Sequence, residues 1–271
     1  MKLKKLIATA LCATAVLSSC AFASCGEKKQ ELIVYTEAGF APWEFTAKGS
    51  TDIIGVDMEI AKYIANKYDY TLKVVDGSFD TIVAGIAEDN ALGIAGISYN
   101  TTRAEAVEYS DFYWADAYQA VVYLKDANPT LTTDGAFATS NFTGKKVVYQ
   151  TGTTSQLTIT ENETAWGITG KKDYADVLVA FQDVTADTAK GTYLIVDSQV
   201  AAQIAAENTN CAYAAIEGLE PEQYGVVAKK GNTALIEKVN AALKELLEKD
   251  ANGKNQIEKW FDEYSAIEPE E

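Results

Sequence analysis

The sequence predicts an α/β protein built from two rounds of strand–helix alternation. Three observations predict it. Short apolar runs alternate with amphipathic stretches of helical period between residues 32 and 124. A polar break follows, beginning at Lys125-Asp126-Ala127-Asn128-Pro129 and rich in Thr, Asp, Gly, Ala and Ser as far as Asn141. A second round then starts at Lys145. Such alternation implies mainly parallel sheets with helices on both faces, and in such sheets ligands sit at the carboxyl ends of the strands.

In the first round, residues 32–36 read as a strand. Residues 55–68 read as a helix with Met58, Ala61, Ile64 and Ala65 on one face and Glu59, Lys62, Asn66 and Lys67 opposite. Residues 71–75 are a second strand, 79–87 a second helix and 92–97 a third strand, and the apolar run 118–124 ends the block. In the second round, residues 145–149 form a strand, and Gly152-Thr153-Thr154-Ser155 opens a helix with exposed backbone N–H groups and hydroxyl caps. A helix over 176–181, a strand over 193–196, a helix over 198–207 and strands over 211–216 and 224–228 follow. Leu235, Ile236, Val239, Ala242, Leu243, Leu246 and Leu247 make a 3.6-period stripe that must be buried on something. The last helix, 254–264, carries Ile257, Trp260 and Phe261, and the acidic tail 265–271 reads as frayed.

At 271 residues, with 48% hydrophobic and 23% charged residues, the chain has the length of two ordinary domains and the composition of a soluble globule. Its net charge of −16 repels nucleic acid and anionic membrane surfaces. The sequence contains no histidine, so Ser-His-Asp and Cys-His enzymes are excluded and the commonest zinc ligand is missing. Nothing reads as a P-loop, a GxGxxG or a metal-ligand cluster, so neither cofactor nor metal is expected. Asn-x-Thr triplets at Asn100, Asn141 and Asn162 read as chance.

Lys2, Lys4 and Lys5 precede an apolar stretch, residues 6–17, that is too short to span a bilayer, which is the layout of an export signal. Leu17-Ser18-Ser19-Cys20 and Phe22-Ala23-Ser24-Cys25 each resemble a bacterial lipobox, so either Cys20 or Cys25 becomes the lipidated N-terminus. Leu17 favours the first site, and the polar tether after Cys25 favours the second. Cys12 lies in the leader and Cys211 alone belongs to the globule, where it reads as a small buried residue without a disulfide.

Residues 96–113 carry the most functional information. Gly96 and Ser98 let backbone N–H groups face outward at a strand end, and Thr101 or Thr102 can cap a helical turn that carries Arg103. A guanidinium beside free N–H groups suits a carboxylate held by two parallel hydrogen bonds. The competing reading pairs Arg103 with Glu105 or Glu108 on a solvated helix.

From Val34 to about Tyr264 the chain resembles bacterial extracellular solute-binding proteins of the polar amino-acid type (family 3), the receptors of ABC importers. The resemblance rests on six motifs in family order: Phe40-Ala41-Pro42-Trp43-Glu44-Phe45, the run from Gly55 to Ala61, the run from Gly96 to Tyr113, the run from Gln150 to Thr154, Val196-Asp197-Ser198, and Gln223-Tyr224-Gly225. It implies a periplasmic-binding-protein-like (type II) fold with two α/β lobes joined by two crossing hinge strands and a ligand cleft between them. The first lobe would hold residues 31–123 and 225–264, and the second 124–224. By position, Arg103 is similar to the clamp on a ligand's α-carboxylate, helped by Ser98 and by Thr153 and Thr154 from the other lobe. Asp197 resembles the acceptor of the α-ammonium, although Asp is also a good helix N-cap. Phe40 and Phe79 match positions where rings stack on the ligand side chain, although a Phe is more often core. Glu37 stands where the family places a group at the end of the ligand side chain, which favours a basic or amide ligand; alternatively it points to water beside Lys48. Gln150 lines the same pocket.

The resemblance further implies a free L-amino acid as ligand, a membrane permease as partner and a monomeric receptor anchored by lipid to the outer face of the cell membrane. Two departures from the family pattern, at residues 90–93 and 184–190, lie away from the charged groups. An enzyme of dehydratase or cell-wall lyase type, with Glu37 as general acid, is the alternative. A sensory module is disfavoured because no transmembrane segment follows Tyr264 in this sequence.

Overall fold

The computed structural model describes residues 29–270. The expected export signal, Cys20 and Cys25 lie outside the described residues. The chain opens with β1 (Glu31–Thr36), a short hairpin of β2 (Phe45–Thr46) and β3 (Ile53–Ile54), α1 (Val56–Lys67), β4 (Thr71–Asp76), α2 (Phe79–Ala84), β5 (Ala91–Gly93), α3 (Thr101–Ala106) and β6 (Val107–Ala117). It continues through β7 (Gln119–Leu124), β8 (Lys146–Gln150), α4 (Thr154–Trp166), β9 (Gly170–Tyr174), α5 (Val177–Ala186), β10 (Thr192–Asp197), α6 (Ser198–Glu207) and β11 (Cys211–Ala215). It ends with β12 (Glu222–Lys229), α7 (Thr233–Leu246) and α8 (Gln256–Tyr264).

Two five-stranded sheets result, ordered β4-β1-β5-β12-β6 and β11-β7-β10-β8-β9. The pairs β1/β4, β1/β5, β8/β10 and β8/β9 are parallel, as strand–helix alternation requires. Each sheet is covered on both faces. In the first lobe, the stripe of α7 from Leu235 to Leu246 packs with α1 and Ile257 on one side, and Phe79, Ile82 and Ile97 cover the other. In the second, α5 and α6 cover one side, while Phe137, Phe142 and Trp166 cover the other. Cys211 is a buried free thiol.

The apolar run at 118–124 was expected to close the first lobe. It is β7, and it pairs with β10 and β11 in the second sheet. The outward crossing therefore falls at Tyr118, between β6 and β7, instead of at 123/124. The return crossing lies just before β12, instead of at 224/225. An apolar run buried on both faces carries no mark of which sheet it joins.

The sequence also hides β6. Its buried positions are Val107, Ser110, Tyr113 and Ala117, spaced by three and four, because the ladder with β12 contains register shifts between Glu222 and Val227. A bulged strand loses the period-2 pattern that reveals strands. The strand β9 is exposed and carries Lys171, Lys172 and Asp173, which suits a sheet edge and hides it from a hydrophobicity reading. The third strand ends at Gly93, short of the expected Ile97, and the second helix ends at Ala84, short of Ala87. Finally, the tail expected to fray is docked: Pro269 bridges Ala47, the Glu270 N–H donates to the Thr46 carbonyl at 2.7 Å, and Lys48 pairs with Glu268.

Candidate functional site: a charged cleft between the lobes

The carboxyl ends of four parallel strands converge between the lobes and deliver the polar groups. β1 delivers Glu37, β5 leads to Gly96 and Ser98, β8 ends at Gln150 and β10 at Asp197. Together with Phe40, Phe79, Arg103, Thr153 and Thr154 they line one narrow cleft. All ten residues singled out in the sequence therefore face a common space. Ala95, Ser155, Ile195 and Val196 also line it and carried no separate sequence signal, being ordinary continuations of a turn, a helix and a strand.

Arg103 is the only arginine in the sequence. It is held on α3 by Asn100, whose side chain accepts from the Arg103 N–H at 2.8 Å; the expected cap, Thr101 or Thr102, lies inside the helix. Nη1 donates to the Ser98 carbonyl at 2.7 Å, and Nη2 donates to the Gly152 carbonyl of the other lobe at 2.6 Å. The guanidinium lies 5.1 Å from the centre of the Phe79 ring. It is 7% exposed, and among the described residues no carboxylate forms an ion pair with it. Glu108 reaches Lys230 instead. Burial lowers its pKa, partly offset by Tyr109, Glu222 and Asp197. Five donors serve two carbonyls, so the clamp retains capacity for an anion.

Asp197 faces it from the second lobe, 6% exposed. It occupies the N-cap position of α6 yet its side chain caps nothing. Gln119 Nε2 donates to its Oδ1 at 2.6 Å, and the Tyr224 hydroxyl donates to its Oδ2. Burial, with Glu222 nearby, pushes its pKa up to about 7 against these hydrogen bonds and the field of Arg103. Among the described residues it forms no ion pair, so it is a buried carboxylate in want of a cation.

Glu37 does not point to water, and Lys48 is engaged with Glu268. Gln150 Nε2 bridges the lobes to Glu37 Oε1 at 2.6 Å and also donates to the Ala175 carbonyl at 2.9 Å. Burial raises the Glu37 carboxyl to about 7, with Asp176 and Asp76 adding repulsion against the Gln150 bond. Phe40 packs against the cores of both lobes, and Phe79 is 7% exposed beneath Arg103, so both rings are core and cleft wall at once. Thr153 caps α4. Thr154 donates to Glu222 across the lobes at 2.8 Å. At Gly152, φ is +77° and a Cβ would lie 2.9 Å from Asp80 Cβ of the first lobe, so the position favours glycine.

Gln119, Tyr224 and Glu222 were missed by sequence reasoning. They act on Asp197 and Thr154 from the crossing strands, and only the register of β7 and β12 reveals that.

Two α/β lobes enclosing a cleft with opposite charges on its facing walls define a ligand receptor. The chain belongs to the bacterial extracellular solute-binding proteins, family 3, whose model matches residues 32–263. The chain is 26% identical over 265 residues to the arginine-binding extracellular protein ArtP of Bacillus subtilis, covering 96% of this chain and 98% of ArtP. It is 25% identical to the glutamine-binding protein GlnH of the same organism, covering 79% of this chain and 75% of GlnH. Among solved structures, an ancestral arginine-binding protein bound to arginine superposes with a TM-score of 0.74 at 27% identity, covering 87% of this chain and 98% of that one. These are solute-binding receptors, and the enzyme alternative for Glu37 falls with that finding.

The charged walls predict a pH dependence. Asp197 and Glu37 have pKa values raised above those of an unfolded chain, so the stability their protonated forms lend the free protein is lost as pH rises from about 4 towards 7. A cationic ligand needs the ionised forms. Affinity for a ligand cation at these carboxylates is therefore expected to rise with pH up to about 7 and then level off, by as much as about tenfold per pH unit for each carboxylate. Calorimetry in buffers of different ionisation enthalpy checks it through the protons released on binding; a flat profile rules it out.

Proposed function

We propose that the cleft binds a free L-amino acid with a basic side chain, L-arginine foremost, with an amide side chain accepted more weakly. The receptor would deliver this ligand to an ABC importer permease. The observation that carries the proposal is the facing pair: a buried guanidinium and a buried carboxylate on opposite lobes, neither ion-paired among the described residues. A zwitterion satisfies both, with its carboxylate on Arg103, Ser98 and the Thr153–Thr154 turn and its ammonium on Asp197. The side chain then runs between Phe40 and Phe79 to Glu37 and Gln150, where the repulsion from Asp76 and Asp176 is relieved by a cation. The names of the arginine- and glutamine-binding relatives support the same class. Ligand binding draws the lobes together about the crossing strands, and the closed form is what the permease receives. We further propose that the receptor is an exported monomer, lipidated at Cys20 or Cys25 and so held at the outer face of the cell membrane.

Thermal-shift and calorimetric titration with lysine, arginine, glutamine and glutamate test the reading. The expected order places arginine and lysine first, glutamine next and glutamate last. Glu37→Gln is expected to cost the cationic ligands about tenfold or more, as loss of a charged hydrogen bond does, while glutamine binding survives. Tight glutamate binding by the wild type would sink the assignment.

A further inference from the structure

Behind the cleft wall, inside the first lobe, two carboxyl groups lie together with no cation beside them. Glu44 is 1% exposed and Asp57 fully buried, and neither has an ion-pair partner among the described residues. Asp57 Oδ2 accepts from the Gly96 N–H at 2.8 Å and from the Tyr113 hydroxyl at 3.0 Å. Asp57 Oδ1 and Glu44 Oε2 are both buried without a donor when each is counted as an ionised acceptor. Two adjacent charges cannot be held this way in an apolar interior, and two orphaned acceptors would each cost a full desolvation penalty. One proton placed on Glu44 converts an acceptor into a donor and satisfies both atoms together.

We propose that Glu44 is a positioning residue: it stays protonated, donates to Asp57, and through this bond locks together the two backbone pieces that form the first-lobe wall of the cleft. One piece is the Phe40 loop, because the Glu44 carbonyl accepts from the Gly39 and Phe40 N–H groups at 3.1 and 2.9 Å. The other is the Gly96 turn, which Asp57 grips by its N–H. The two pieces touch: a Cβ at Gly96, whose φ is +51°, would lie 2.9 Å from Phe40 Cε1. Tyr113 ties the same pair to β6. The ionisable groups around the pair agree in sign. Burial raises the Glu44 carboxyl well above the ordinary range, and the charges of Asp57, Glu37 and Asp197 push it the same way; burial also raises Asp57, opposed by its bonds from Gly96, Glu44 and Tyr113. Tyr113 itself is buried and held neutral, its hydroxyl a donor to Asp57.

Glu44→Gln supplies the test, because an amide N–H replaces the carboxyl O–H without a charge. Glu37 and Asp197, with pKa values near 7, also carry protons near neutral pH, so the infrared spectrum of Glu44→Gln is expected to keep their protonated-carboxyl C=O intensity and to lose one further carboxyl's worth that the wild type contains. Because the native state holds a proton the unfolded chain gives up, wild-type stability should decline as pH rises above about 4.3, and the melting temperature of Glu44→Gln should gain on it over the same range. Neither readout requires a ligand. The affinity readout rests on the proposed function and uses L-arginine: Glu44→Gln should bind within about threefold of wild type, and Glu44→Ala about tenfold or more weakly. Equal protonated-carboxyl intensity in wild type and Glu44→Gln, parallel melting curves, or a Glu44→Gln protein that fails to fold or binds as poorly as Glu44→Ala overturns the proposal. If the wild type itself ignores L-arginine, the ligand assignment fails while the infrared and melting results still decide the role of Glu44.

Discussion

Arg103→Ala is expected to fold into the same two lobes and to weaken binding of the proposed ligand, L-arginine, by about thirtyfold to several-thousandfold, the roughly 2–5 kcal/mol that follows truncation of one partner in a buried charge pair. The fold survives because most of what Arg103 touches inside the first lobe keeps other partners. The Ser98 carbonyl keeps a bond from the Tyr109 hydroxyl at 2.9 Å, and Phe79 remains packed on Ile82 and Ile97. The Gly152 carbonyl loses its cross-lobe donor, a modest loss at the cleft edge. Binding has no such reserve, since no second arginine exists in the sequence. Arg103→Lys should recover only part of the loss, because one ammonium cannot serve the Ser98 and Gly152 carbonyls and present a two-pronged donor to a carboxylate. Calorimetry with circular dichroism checks both halves, and near-normal affinity in Arg103→Ala would remove it from the site.

Asp197→Asn should separate stability from binding in the opposite sense. The asparagine Oδ1 can accept from Gln119 and its amide can donate to the Tyr224 hydroxyl oxygen, so the buried contacts of Asp197 persist. What disappears is a desolvated charge whose pKa burial lifts to about 7, a strain on the ionised native state on the order of a few kcal/mol. Above pH 7 the unliganded variant should therefore melt no lower than wild type, while its affinity for α-amino acids falls by about a hundredfold or more through loss of the ammonium's counter-charge. A melting temperature well below wild type at that pH, or unchanged affinity, would show that the carboxylate serves the fold instead.

The parts of this molecule that could be read from its sequence are those in which a local pattern and a global role coincide. Helices α1, α6 and α7 announce themselves by period, and Asp197, Gln150 and Glu37 by standing where strands end. The parts that could not be read depend on partners distant in sequence. β6 carries its buried residues at intervals of three and four because β12 bulges against it, so no window along the chain shows a strand. β7 is apolar on both faces and could have belonged to either sheet. Beyond the third strand, Gly96 turns at φ +51° to give its N–H to Asp57, 39 residues earlier. Glu44 looks like an ordinary surface acid beside Phe45, and only burial reveals it. The docking of the acidic tail on Thr46 and Ala47 is likewise a contact across more than 200 residues.

Gly152 sets the gauge of the cleft. Asp80 of the first lobe stands where any Gly152 side chain would have to go, so only a residue without one lets the lobes come this close. A cleft that stops on a hard contact cannot adapt to a bulky ligand by closing less and still present the same outer surface. Ligands that fit would all produce one external shape, and those that do not would leave a visibly different one. The permease would then need to recognise a single contour, and discrimination among solutes could be handed on as geometry, without the transporter ever touching the side chain that was selected.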